Sequence, residues 1–301
     1  MKNIPKISIG MPVFNGENSL RKTLITIINQ EFLDFELIIS DDASTDSTQK
    51  ICEEFSKKDS RIRYFRQKKN FGMPVKNFQF VLDKAVGEYF MFASHDDPYH
   101  PQFISEMLKI MEFDKDCSLA FCSYTIQNKK GNSNIPITPS SSCSKSILSR
   151  YMSRVIDMQP ALLYGFFRKE FINEEDLRCF DFFEVDIGLK MSLKGNIRIA
   201  NSELWHWIID GERASYSIYP LRSYMKDLMG LKRDYQPFPQ DQLEKNRMNY
   251  LPFYFGQVRL LYSYFGLLKA FPLSVALTYF IIKKIIWLLF NPRMADLNFK
   301  D

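Results

Sequence analysis

The chain has 301 residues, 46% hydrophobic and 25% charged, values that exclude wholesale disorder and a collagen-like or low-complexity fibre. Aromatics reach 15%, with 27 Phe, while Gly is scarce at 12, so a large aromatic core or an apolar contact surface is expected rather than a flexible Gly-rich chain. The net charge of +5 is uneven: residues 211–301 hold 13 Lys/Arg against 7 Asp/Glu, a balance of +6, and the first 210 residues balance at −1.

In chain order, KISIGMPVF (Lys6–Phe14) predicts a short apolar strand, and Asn15–Gly16 a turn. Glu17 to Gln30 carries Leu20, Leu24, Ile27 and Ile28 at helical spacing. FELIIS (Phe35–Ser40) is a second strand, after which Ser44 or Thr45 caps a helix running to about Lys57. RIRYFR (Arg61–Arg66) is a third strand. Pro74 opens a helix to about Val86, and EYFMFAS (Glu88–Ser94) is a fourth strand. Pro101 opens a further helix, and SLAFCSY (Ser118–Tyr124) is a fifth strand. This alternation means βαβ units, and hence an α/β fold with a mostly parallel sheet flanked by helices. Gln127–Ser146, rich in Asn, Ser, Pro and Gly, reads as a mobile loop. Beyond it, ALLYGFF reads as a strand, VDIGLKMSL as a helix, and NIRIA with ELWHWII as a strand pair.

The C-terminal region unites the basic excess with LPFYFGQVRLLYSYFGLLKAFPLSVALTYFIIKKIIWLLF (Leu251–Phe290). Basic, apolar and aromatic residues together suit an anionic membrane surface. The longest uncharged run, Ala270–Ile282, falls short of a span and is followed by Lys283 and Lys284, so the segment is expected to lie on the membrane. The competing reading is a helical subdomain core or a homodimer interface. The five Cys form no Cys-x-x-Cys pair and are expected to be free thiols in a reducing compartment. The start MKNIPKISIG has no leader-like apolar run, which favours a cytoplasmic chain held peripherally at the inner face of the membrane.

Three polar clusters fall at predicted strand ends, where parallel α/β sheets bind ligands: Asn15–Glu17, Asp41–Asp42 and His95–Asp97. The adjacent carboxylates Asp96 and Asp97 suit Mg²⁺ or Mn²⁺ bridged to phosphates. Equally, Asp97 could cap the helix after Pro101. Asp42 could accept a base N–H or a ribose hydroxyl, or be a loop cap. His206, between two Trp, could be a stacking residue, and Glu184 and Asp186 could be N-terminal helix acids. The fingerprints G-x-G-x-x-G and the P-loop are absent, so any nucleotide must be held by another device.

The order and spacing of these clusters resemble the family 2 glycosyltransferases. The matching stretches are ISIGMPVFNGENSLRKTLITIINQEF, FELIISDDASTDST, the Asn70–Asn77 segment, Ala85–Phe90 and SHDDPYHP, spread over about the first 105 residues. The resemblance implies a GT-A-type fold with a helical C-terminal extension. Its domains would be a catalytic domain at 1–220, split into a nucleotide-sugar half (1–105) and an acceptor half (106–220), then a basic, apolar region at 221–301. It also implies that Pro12, Phe14 and Glu17 line the nucleotide pocket and that Asp42 meets a uracil-type base. Asn70 and Lys76 would lie beneath the nucleotide. Asp97 would bind the metal, Asp96 the ribose or a bound water, and His206 the metal or diphosphate. Arg213 would neutralise the leaving group. Asp186 is the expected base, with Glu184 in reserve. The family's D-x-D-D here reads Ser94-His95-Asp96-Asp97, so its first acid is missing.

The reaction implied by the resemblance is inverting transfer from a nucleoside-diphosphate sugar, UDP-linked, to a saccharide or lipid-linked saccharide of a cell-envelope polysaccharide. The alternatives are an inactive membrane scaffold of the same fold and a nucleotidyltransferase. The second would carry a Gly-rich basic loop where this chain has NGENSL. Nucleic acid is not an expected partner, because the basic excess accompanies apolar residues rather than forming a polar stripe.

Overall fold

The computed structural model describes residues 4–128, 134–157, 159–177 and 183–209. Arg213 and the 251–290 segment lie outside the described residues, as do the side chains of Glu184 and Asp186. Among the described residues, no helix is long and apolar enough to cross a membrane.

Strands β1 (Ile7–Val13), β2 (Phe35–Asp41), β3 (Ile62–Arg66) and β4 (Tyr89–Phe92) are connected through α1 (Leu20–Ile28), α2 (Thr48–Lys58) and α3 (Pro74–Asp83). β1 is parallel to β2 and β4, and β2 is parallel to β3. Every residue of β1, β2 and β4 is buried, as expected of parallel strands covered on both faces. The order β3-β2-β1-β4 means the chain winds outward from β1 and then crosses to its other side. That reversal makes the β1/β4 boundary a switch point, where loops at the strand C-termini part and leave a crevice. Pro12 sits beside it. The β1–β2 register continues to Val13, whereas the β1–β4 register stops at Gly10, before the residue that has no N–H to give.

α4 (Phe103–Phe113) leads into β5 (Cys117–Asn128), β6 (Asn134–Ile137), α5 (Ile147–Ile156), a 3-10 turn at Pro160–Tyr164, β7 (Phe166–Arg168), α6 (Phe183–Lys194) and β8 (Asn196–Ile209). β7 joins β4 to β5 with antiparallel pairing on both sides, β6 is antiparallel to β5, and β8 also pairs with β5. The expected GT-A-type α/β architecture is therefore present, with antiparallel strands added to a parallel set. Several local expectations change. The loop expected at Gln127–Ser146 contains β6, paired to an extended β5. ALLYGFF divides at Gly165 into a 3-10 turn and β7. The expected pair NIRIA and ELWHWII is one continuous strand, β8.

The aromatic excess is accounted for by the core. Phe90 and Phe92 meet edge to face at 4.6 Å, and Phe92 meets Phe167 at 6.3 Å across the sheet. The fully buried Trp205 is ringed by Tyr99, Phe121, Tyr124 and Tyr164. Each such buried aromatic contributes about 1.5–3 kcal/mol of apolar burial. Cys52, Cys117, Cys122 and Cys143 are free thiols, and burial pushes the first three up to about 12, which makes them inert.

Candidate functional site

The loops after β1, β2 and β4 meet at the switch point. Three successive amides of the first loop donate to side chains of the second: Asn15 N to Ser44 Oγ (2.9 Å), Gly16 N to Thr48 Oγ1 (2.8 Å) and Glu17 N to Asp46 Oδ2 (3.0 Å). Two amides return the favour, Thr45 N to Asn15 Oδ1 (2.9 Å) and Ser47 N to Glu17 Oε2 (3.0 Å). Burial pushes Asp46 up, but the Thr48 hydroxyl and the amides of Glu17 and Thr48 outweigh it and hold the carboxyl below its ordinary range. Asn15 and Ala43 both occupy left-handed backbone, φ 50° and 57°, on either side of this lacing. The amides that cradle phosphate in a Gly-rich loop are therefore spent on the neighbouring loop. This explains why α2 begins at Thr48: Ser44 and Thr45, the expected caps, face Asn15 instead, and Ser47 occupies the cap position.

The two acids that end β2 divide their roles. Asp41 is fully buried and saturated, accepting from Arg66 Nη1 (2.7 Å), Tyr64 OH (3.0 Å) and Ser44 N (2.8 Å), so it holds structure. Asp42 is 5% exposed and accepts Phe71 N at 2.8 Å. Burial raises the Asp42 carboxyl above the usual range; the Phe71 amide opposes this and the Asp41 charge adds to it. Asn70 supports Asp42 from below, donating to its carbonyl at 3.1 Å and accepting Gly72 N at 2.7 Å. Phe14 stands 47% exposed at the rim, Glu17 and Lys76 are exposed, and Pro12 is buried in β1.

At the end of β4, Ser94 Oγ donates to Asp96 Oδ1, and Asp97 is buried. Asp97 does not cap α4, whose first residue follows Gln102 without a side-chain cap. Its Oδ1 instead accepts Ile208 N at 2.8 Å, and Pro98 O accepts His206 N at 3.3 Å. β8 is thus stitched to the acid pair. The His206 ring itself meets Gln127 Nε2 at 3.3 Å and lies 3.7 Å from Glu203. His95 packs over the β1 loop: a Cβ added to Gly16 would come within 2.8 Å of its Cδ2, so any larger residue there would have to displace the His95 ring.

The fold brings Phe14, Glu17, Asp42 and the Asp96–Asp97 pair to the C-terminal ends of adjacent strands. The backbone of Glu184 and Asp186 lies in the first turn of α6. Among the described residues, no three His, Cys, Asp or Glu side chains gather to hold a metal by themselves. Asp96 and Asp97 are nevertheless hard oxygen donors of the kind Mg²⁺ or Mn²⁺ prefers, and two carboxylates fit an ion whose remaining ligands are phosphate oxygens and water.

The family description "Glycosyl transferase family 2" matches residues 8–168, more than half of the chain and all of the strand-end loops described above. The chain belongs to glycosyltransferase family 2. Among its relatives, the GalNAc(5)-diNAcBac-PP-undecaprenol beta-1,3-glucosyltransferase of Campylobacter jejuni is 39% identical over 94 residues, 31% of this chain and 30% of that protein. Glycosyltransferase GlyA of Streptococcus pneumoniae is 36% identical over 115 residues, 38% of this chain and 16% of that protein. The matched segments thus span less than a third of either relative. A structure of S. aureus TarS 1-349 in complex with UDP-GlcNAc covers 93% of this chain and 81% of its own, with TM-score 0.57 and 18% identity, a likeness of fold.

Sequence reasoning missed Asn15 and Asp46 as cross-loop ties and Ile208 as the partner of Asp97. The first two were legible as two polar loops at the ends of neighbouring strands. The third joins residues 111 apart and left no local signal.

Proposed function

We propose that this family 2 chain is an inverting glycosyltransferase acting on a UDP-linked sugar. The observation that carries the reading is the convergence, at the sheet's switch point, of an exposed aromatic (Phe14), a buried carboxylate held from below (Asp42) and an acid pair (Asp96–Asp97). Phe14 and Asp42 would take the base, with Pro12, Glu17, Asn70 and Lys76 shaping the pocket and Asp96 the ribose side. The amides of residues 15–17 are committed to the neighbouring loop, so the diphosphate falls to the acid-pair side. This also opposes the nucleotidyltransferase alternative.

Asp97, with Asp96 and His206 near it, would hold Mg²⁺ or Mn²⁺, which when bound supplies positive charge to the departing diphosphate. Arg213, outside the described residues, would add to that charge. Asp186 accepts the proton of the acceptor hydroxyl, and that oxygen attacks the anomeric carbon from the face opposite the leaving group, which inverts the centre. Glu184 is the reserve base. TarS was captured with UDP-GlcNAc, which supports a UDP-linked donor. The Campylobacter jejuni relative is named for an undecaprenol-linked substrate, which supports a lipid-linked saccharide acceptor in envelope glycan synthesis. Residues 251–290 would hold the enzyme at the inner face of the membrane where such acceptors reside. The catalytic domain would end near residue 220. The inactive-scaffold alternative rests on the missing first acid alone.

A screen of nucleotide sugars with Mn²⁺ tests the reading. UDP release from at least one UDP-sugar, dependent on metal, is expected. A folded protein that releases nucleotide from none of them overturns it.

A further inference from the structure

The five hydrogen bonds donated by amides between the β1 and β2 loops do more than close turns. They run in both directions, and Asn15 is used twice: its amide donates to Ser44 Oγ and its Oδ1 accepts Thr45 N, with Thr45 Oγ1 also 3.4 Å away. Its left-handed backbone, φ 50°, is one that Asn and Gly adopt at little cost. Phe14 and Asp42 directly follow the last paired strand residues, Val13 and Asp41, so the sheet sets the spacing of their backbones, while the lacing holds the loop tips just beyond them. Asp42 N is itself tied to Val13 O at 2.9 Å: the sheet fixes the base of each loop, and the lacing fixes its tip.

We infer that Asn15 is a positioning residue for the donor: its side chain, the acceptor for Thr45 N, ties the tip of the β1 loop to the β2 loop and so keeps the exposed Phe14 beside Asp42 in readiness for a flat nucleobase. The inference rests on the donor reading above. Nucleotide affinity, rather than the chemical step, then depends on the tie that the Asn15 side chain makes to the facing loop. An unlaced rim must be ordered at the moment of binding, and that ordering cost appears in Kd and in donor KM. Once the donor is bound, the reacting groups at the β4 end and in α6 are unchanged, so kcat stays.

Asn15→Gly removes the side-chain acceptor and keeps the left-handed backbone at ease, so it separates lacing from strain. Asn15→Asp keeps both the acceptor oxygen and the backbone preference. Calorimetric titration of UDP in the presence of Mn²⁺ should give a Kd about tenfold weaker for Asn15→Gly and within about threefold of wild type for Asn15→Asp. In turnover with an active UDP-sugar, Asn15→Gly should raise donor KM by a similar factor while kcat stays within about twofold. Hydrogen exchange should show faster amides at residues 15–17, 45 and 47 in the Gly variant. Asn15→Gly binding UDP as tightly as wild type, with those amides released, overturns the inference and leaves the donor reading intact. Loss of kcat at unchanged KM also overturns it. A wild-type chain that binds no UDP overturns the donor reading and this inference with it.

Discussion

In the parallel half of the sheet, β1 to β4, polar groups at the strand ends satisfy one another over short reaches. Asn15, Glu17, Ser44, Asp46 and Thr48 bond to amides of the facing loop, and Asp41 is saturated by Arg66, Tyr64 and Ser44. In the antiparallel half, β5 to β8, long arginine arms bond to backbone carbonyls, most of them on other elements. Arg168 reaches Met111 O, Cys117 O and Asp114 O, and Arg150 reaches Ser192 O and Ser144 O. Here too lie buried donors with no partner among the described residues: Arg154 Nε and Nη1, and Trp205 Nε1. Arginine-to-carbonyl ties occur in the first half too, from Arg61 to Ile28 O and from Arg63 to Lys84 O, but its strand-end loops are held chiefly by one another, whereas the second half has no such laced rim among the described residues. The same residue type, a buried charge, therefore has a different consequence when changed in each half.

Asp97, bonded to Ile208 N of β8, is one tie between the two halves, and the largest effect is expected there. Asp97→Asn keeps an acceptor for Ile208 N but removes the charge, so metal-dependent transfer should fall by about 10³-fold or more with the melting curve little changed. A variant that loses fold and activity together would make Asp97 a strut of β8 instead. In the antiparallel half, Arg168→Ala takes the guanidinium from Met111 O and Cys117 O, while Asp114 O keeps Cys117 N, and should cost about 2–3 kcal/mol, a drop in melting temperature of roughly 4–12 °C, read by circular dichroism. Asp186→Asn should leave UDP affinity alone and lower kcat by about 10²-fold, the scale of a lost general base. Unimpaired transfer there, beside a dead Glu184→Gln, would move that role to Glu184.

Asp42 gives the rim-side counterpart. Its folded pKa is raised, so the stability it contributes is fully present below the unfolded aspartate value and is lost as the pH rises through the folded one. Asp42→Asn should therefore gain melting temperature on wild type as the pH rises across that window, while UDP binding weakens by about tenfold. A variant that is both less stable at neutral pH and unimpaired in binding would show that Asp42 is a structural loop cap.

Legibility in the sequence divides along the same line. β1, β2 and β4 are plain because strands buried on both faces are continuous apolar runs, and their polar ends mark the candidate site. The cap of α2 is not, because Ser44 and Thr45 answer to Asn15, a partner about thirty residues away that local propensity does not see. β8 looks like two strands because Asn201, Ser202 and Glu203 resemble a turn, yet the strand runs on through them from Asn196 to Ile209. The 3-10 turn before β7 is hidden in an apolar run that suits either element until Gly165 breaks it. Asp97 is visible by position, but its tie to Ile208 depends on the finished sheet.

Whether the donor sits on the rim of the parallel half can be decided by hydrogen exchange of the full chain with and without UDP and Mn²⁺. Added protection is predicted at residues 13–17, 41–48 and 94–98, with 134–157 unchanged. Protection confined to 134–157, with the three strand-end loops unaltered, would contradict that placement.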